Sequence, residues 1–251
     1  MPRSAVTFML ALAATAAIAD ADDLANGVFI AHYVPGFGGP GQPHGCDDYM
    51  QQARIETCAE QNETVCFEGS VAYVEWYVLA AWPEEKEFCA AEFGIGDYDP
   101  ELVHLIGHNP CVNDASTIPS TDPPWPAPNS GIAIAWDIED APTGNFAPVY
   151  MFRCYVYGSA YGTTTIPIVP NPTYHHFLGF ADCQVPPVTW DAIASGRLGI
   201  HEPGVWVCPP GWVSNVPDPS GETTPTEEVN WGRIKLLFRE GSCADARGGT
   251  N

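Results

Sequence analysis

The residues that could carry chemistry here are mostly acids. Asp97, Asp99 and Glu101 alternate around a turn signal, Gly96-Asp-Tyr-Asp-Pro100. Oxygen ligands at alternate positions of a tight turn suit a hard cation, so calcium is the one cofactor this pattern suggests. Asp137, Glu139 and Asp140 form a second cluster of the same kind. Glycoside hydrolysis would need two carboxyl groups facing each other across a sugar. Glu75, Glu92, Asp137 and Glu139 are candidates, and Glu75 stands out because it interrupts an apolar strand. Facing inward it would be paired or functional; more often such a residue lies on the outer face, here flanked by Tyr73 and Tyr77.

Other chemistries lack their motifs. Gly158-Ser-Ala-Tyr-Gly162 has the wrong spacing for a nucleophile elbow. His201-Glu202 runs into Pro203-Gly204, a turn rather than a zinc-binding helix. His104 and His108 in a strand would share a side about 13 Å apart, too far for one ion. The adjacent His175 and His176 complete the histidine pairs. Among the aromatics, Trp125, Trp136, Trp190, Trp206 and Trp212 could form a sugar platform, although most strand tryptophans belong to the core. Trp125, between prolines, is the best placed for exposure and for glycan binding.

The chain has 251 residues and nine cysteines, and its formal charge is −22. That charge excludes nucleic-acid binding, which needs a basic surface. No C-x-x-C pair occurs, so the cysteines read as disulfides formed in an oxidising compartment. Proximity pairs Cys46 with Cys58 or Cys66, Cys89 with Cys111, and Cys183 with Cys208. Nine is odd, and Cys154 and Cys243 carry the remainder. The compartment is also written at the front. Arg3, an uncharged run from Ala5 to Ala19 and the small-x-small Ala17-Ile-Ala19 read as a cleaved signal peptide over residues 1–19. No later apolar run is long enough to span a bilayer, so the expected location is secreted, periplasmic or at the cell surface.

These residues must be positioned by strands. Gly27–Val34 is a short apolar run ended by Pro35. Residues Cys46 to Gln61 are the one helix candidate, with Tyr49, Ala53 and Ile55 on one face. Val71 to Trp82 alternates, placing Val74, Trp76, Val78, Ala80 and Trp82 on one face before Pro83 stops it. Phe88–Ile95 and Leu102–Ile106 follow. Next, Ile132, Ile134, Trp136 and Ile138 share a face, and Val149–Tyr157 is another strand. Thr163–Val169 reads as an edge strand because of Pro167, and Gly204–Cys208 as the last core strand. The pattern predicts an all-β fold: a single disulfide-stabilised β-sandwich of seven to nine strands over residues 20–212.

Past Trp212 the composition changes. Residues 213–230 are rich in Pro, Ser, Thr and Glu and read as a flexible linker. Residues 231–251 then begin with a basic amphipathic tail. Trp231, Ile234 and Phe238 lie on one helical face, while Arg233, Lys235 and Arg239 gather charge in a chain of nine Lys and Arg. Such a tail suits attachment to a surface, or self-association with the acidic body.

The stretch Val71 to Pro209, with "VLAAW", "AEFGIGDYDP" and "WPAPNSG", resembles the immunoglobulin-like modules of secreted bacterial proteins. The tail "NWGRIKLLFR" is similar to short C-terminal ends of such proteins. The resemblance implies an immunoglobulin-like sandwich and no particular activity. The expected role is structural, adhesive or binding, with a glycan, a surface protein or another copy as partner. The alternatives are a glycan hydrolase and a calcium-stabilised carbohydrate-binding module.

Overall fold

The computed structural model describes residues 24–36, 45–112 and 114–212. The leader (1–19), the linker (213–230) and the tail (231–251), with Trp231, Arg233, Ile234, Lys235, Phe238 and Arg239, lie outside the described residues. What is described is an all-β sandwich. One sheet runs in the order β12-β1-β3-β8-β5, from Ala194–Ser195, Val28–Tyr33, Val71–Glu87, Thr143–Tyr157 and Val103–Pro110. The other runs β11-β10-β4-β9-β13-β2, from Thr189–Asp191, Gly179–Ala181, Ala90–Ile95, Thr164–Val169, Arg197–Ile200 and Thr64–Val65. The hairpin of β6 (Ser116–Pro119) and β7 (Ser130–Ala135) extends it along the free side of β4.

Period-two burial builds the core between the sheets. Val74, Trp76, Val78, Ala80 and Trp82 all point into it, as the alternation predicts, against Phe93, Ile132, Ile134 and Phe180. Trp76 stacks on Phe152 at 4.3 Å and Phe29 on Phe180 at 4.4 Å. Aromatic pairs of this kind add to area burial. Ile138 leaves the pattern and is exposed in a one-turn 3-10 helix.

The opposite face of the first sheet is buried too. Tyr77, Leu79 and Ala81 pack under α1 (Cys46–Gln52) and the segment around Trp206 and Trp212. This third layer was not legible as such. The helix is shorter than its predicted span to Gln61, and Cys58–Glu60 forms a separate 3-10 turn. Tyr49 still stacks on Tyr77 at 4.3 Å, and Ile55 is buried beside it.

Several expectations are corrected by the topology. Thirteen strands occur among the described residues rather than seven to nine, because pieces of two to four residues lie along longer neighbours. β3 passes Pro83 and continues to Glu87, with its pairing to β8 broken between Ala81 and Lys86. A proline fits where the ladder is interrupted. β9 is interior, between β13 and β4, not an edge. Pro167 is tolerated because its carbonyl faces Gly96 N, past the end of β4, and its missing N–H faces the same way. Gly204–Cys208 contributes only a bridge from Val205 to Arg197.

The disulfides join Cys46 to Cys111, Cys58 to Cys208 and Cys89 to Cys183, so each proximity pairing is overturned. Sheet folding brings together cysteines 65, 150 and 94 residues apart. Cys66 is disulfide-bonded as well, and Cys154 is a buried free thiol. Bridges of this number point to an oxidising environment. No helix among the described residues is long and apolar enough to cross a membrane.

Candidate binding groove

The outward face of the second sheet holds the candidate site. Directly opposed residues in antiparallel strands point the same way. The registers therefore line up one cross-strand row, Ile118–Ala133–Glu92–Gly179–Asp191. Beside it runs a second row, Ser116–Ala135–Ala90–Ala181–Thr189. Alanine and glycine make the middle of both rows, so the surface sinks into a groove. Ile118 and Ser116 rise at one side, Thr189 at the other. The groove has a volume of about 530 Å³, within the range of small-ligand sites.

One acid lies on this floor. Glu92 is only 9% exposed, and its neighbours across both strands are Ala133 and Gly179. His175 Nδ1 stands 3.6 Å from Oε2. Oε1 makes no direct hydrogen bond, and the Asn171 side chain lies close enough to the carboxyl to favour its charged form. Burial pushes the Glu92 carboxyl above its ordinary range, and His175 and Asn171 pull it part of the way back.

A loop closes one end of the groove. Asn171 is fully buried, and its Oδ1 accepts hydrogen bonds from Thr173 N and Tyr174 N. Its backbone N–H donates to Phe177 O, drawing the loop shut. Gly131 is required beneath it, since a Cβ there would lie 2.1 Å from Asn171 Oδ1. The Tyr174 hydroxyl donates to Pro119 O at 3.3 Å and ties the loop to β6. His175 and His176 both have positive φ, 23° and 53°, a strained conformation for non-glycine residues. The loop holds Phe177 over Gly179, where a Cβ would meet the ring at 2.5 Å.

The remaining predicted residues are dispersed. Asp99 Oδ1 accepts from Glu101 N at 2.8 Å and Leu102 N at 3.4 Å, capping its own turn. Asp97 Oδ1 meets Asn129 Nδ2 at 3.5 Å. Among the described residues no group of three or more His, Cys, Asp or Glu is arranged to hold a metal ion. His104 and His108 do not share a side, because the bulge between Leu105 and Gly107 pairs them with Tyr155 and Phe152, which face opposite ways.

Trp125 is not an open platform. It packs against the inter-sheet core, edge-on to Phe93, and donates Nε1–H to the Tyr150 hydroxyl at 2.9 Å. That hydroxyl lies 2.8 Å from His108 Nδ1. Having accepted from Trp125, it donates to His108, whose proton then sits on Nε2. Glu75 is fully buried beneath the third layer, with Arg153 Nε at 3.2 Å and the Tyr73 hydroxyl at 2.9 Å. Glu75 thus lies on the outer face of the first sheet, as expected, and is buried and paired there. Glu75 and Glu92 lie on the outer faces of different sheets and cannot flank one sugar.

Glu92 also gives a pH-dependent prediction. A carboxyl whose folded pKa is raised contributes stability below its unfolded pKa and loses it as pH rises through the folded value. Glu92→Gln removes that loss. The variant's melting temperature should match the parent near pH 4 and exceed it at pH 8, in paired thermal melts. A variant that gains stability only at low pH would contradict the burial argument.

No family model matches the chain, and no curated protein matches it. Among solved structures, a chain of a CaDoc0917–CaCohA2 complex aligns over 55% of this chain and 93% of its own, at 18% identity and a TM-score of 0.36.

Proposed function

We propose that this chain is an exported, non-enzymatic β-sandwich that acts outside the cytoplasm by binding a partner in the groove above Glu92. The carrying observation is that groove: a floor of alanine and glycine with one nearly buried carboxyl group. Its long-range disulfides suit life in an oxidising space, and the leader-like first 19 residues supply the export route.

The hydrolase alternative meets a geometric objection. Inverting and retaining mechanisms both need a second carboxylate across the site. Asp191 shares Glu92's row, but the Phe177 ring lies over Gly179 between them. Among the described residues, Glu92 is the one acid lining the groove.

Ala133→Trp tests the reading, because Ala133 is a partly exposed floor residue whose enlargement fills the groove from above. Parent and variant would be compared on glycan and peptide arrays, with a hydrolysis screen alongside. Capture by the parent that the variant loses, without turnover, is the expected result. Equal capture by both removes the groove from the function, and turnover abolished by Glu92→Gln makes the chain an enzyme.

A further inference from the structure

The cysteines leave one pairing open. Of the nine, six form the three bridges between described residues, and Cys154 is a buried free thiol. Cys66 is disulfide-bonded, and Cys243 is the one cysteine left within the chain to be its partner. We propose that a Cys66–Cys243 bridge fastens the C-terminal segment to the β2 edge of the second sheet. Residues 209–242 then form a closed strap between two covalent anchors, Cys208 and Cys243, rather than a linker with a free tail. The bond forms by thiol–disulfide exchange: the two thiols give up two protons and two electrons, and the disulfide of an oxidising oxidoreductase takes them up to become two thiols.

Cys66 is placed to receive such a partner. Val65 belongs to the inter-sheet core and Phe67 packs against it, so Cys66 between them turns outward and is only half-buried. The anchor point is firmly seated. Val65 O accepts from His201 N at 2.9 Å, Gly204 N donates to Thr64 Oγ1 at 3.2 Å, and the Phe67 ring lies 4.8 Å from that of His201. The other anchor, Cys58–Cys208, lies in the third layer beneath the first sheet. Residues 213–242, extended at about 3.3 Å each, could span roughly 100 Å, ample to pass around layers packed about 10 Å apart. The bridge also fixes where the basic segment sits. Arg239 precedes Cys243 by four positions, which keeps it within about 13 Å of the bond. The segment is thus held at the β2 edge, with β13 and β9 between it and β4, whose far side carries the groove. A cut within residues 213–230 would not shed it.

Disulfide mapping of the full-length chain tests the bridge. Free thiols are blocked with N-ethylmaleimide in denaturant at mildly acidic pH, before exchange can scramble the bonds. Trypsin with a glutamate-specific protease then separates Cys66 from Cys58 at Glu60 and Glu63 and cuts on both sides of Cys243. Thr64–Glu68 joined to Gly241–Arg247 is expected by mass spectrometry, with the block on Cys154. A link between the Cys66 residues of two copies, or a block on Cys66 or Cys243, overturns the proposal. A second measurement uses the folded chain. After brief trypsin cleavage at Arg233 or Lys235, the C-terminal fragment should stay with the body until reductant is added. In Cys243→Ser it should leave without reductant. That variant should also take up one maleimide per folded chain, at half-buried Cys66, while fully buried Cys154 takes none. Loss of the fragment from the parent without reductant would equally overturn the bridge.

Discussion

Replacing Arg153 with methionine is expected to cost the fold about 3–5 kcal/mol, the usual penalty for stripping the partner from a buried charge. Glu75 has no exposed side-chain surface, whereas Arg153 keeps 24% of its own. The pair is directly cross-strand, on the face of β3 and β8 that the third layer covers. The Tyr73 hydroxyl remains a donor but carries no charge to offset the carboxylate. For a domain of this size the melting temperature should fall by about 10 °C. Equilibrium unfolding in denaturant measures the loss directly. Glu75→Gln in the Arg153→Met background should recover more than half, because a neutral amide is cheaper to bury than a lone charge. A loss below about 1 kcal/mol, the size of an exposed pair, would show that the cluster is solvated.

Removing the Cys58–Cys208 bridge should cost about 2–5 kcal/mol. Its cysteines are 150 residues apart, so the cross-link excludes many unfolded conformations. The folded side matters as well. Trp206 Nε1–H donates to Cys58 O at 2.7 Å, and Gln61 Nε2 to Val207 O at 2.6 Å. The bridge therefore clamps the segment that shields Tyr77 and Leu79. In Cys58→Ser/Cys208→Ser, hydrogen exchange should rise first around Tyr49 and Trp206. The core between the sheets, around Trp76 and Phe152, should keep its protection until global unfolding. Simultaneous loss in both regions would mean that the third layer is no separate unit.

Glu75 and Glu92 owe their character to contacts that lie far away in the chain. Glu75 is visible as an acid inside an apolar run, yet whether it faces solvent depends on what covers that side of β3. The covering comes from α1 and residues 206–212, distant in sequence. Glu92 is weaker still as a signal, one of 31 Asp and Glu. It becomes distinct only because Ala133 and Gly179 flank it across two strand pairings. The one advance sign was the poverty of side chains outward from β4, β7 and β10, where Ala90, Ala133, Ala135, Gly179 and Ala181 leave space.

The sequence by itself determined the all-β character and the inward faces of β3 and β7. It also determined the acidic surface and the abundance of cysteine suited to disulfides. These are local properties: period-two burial and composition act residue by residue along a strand. The tertiary structure alone decided which cysteines meet and why Pro167 can sit inside a sheet. It also decided that Glu75 is paired and that Glu92 lies at the bottom of a groove. Each depends on register between strands far apart in the chain, and register is set by the packing of both sheets together.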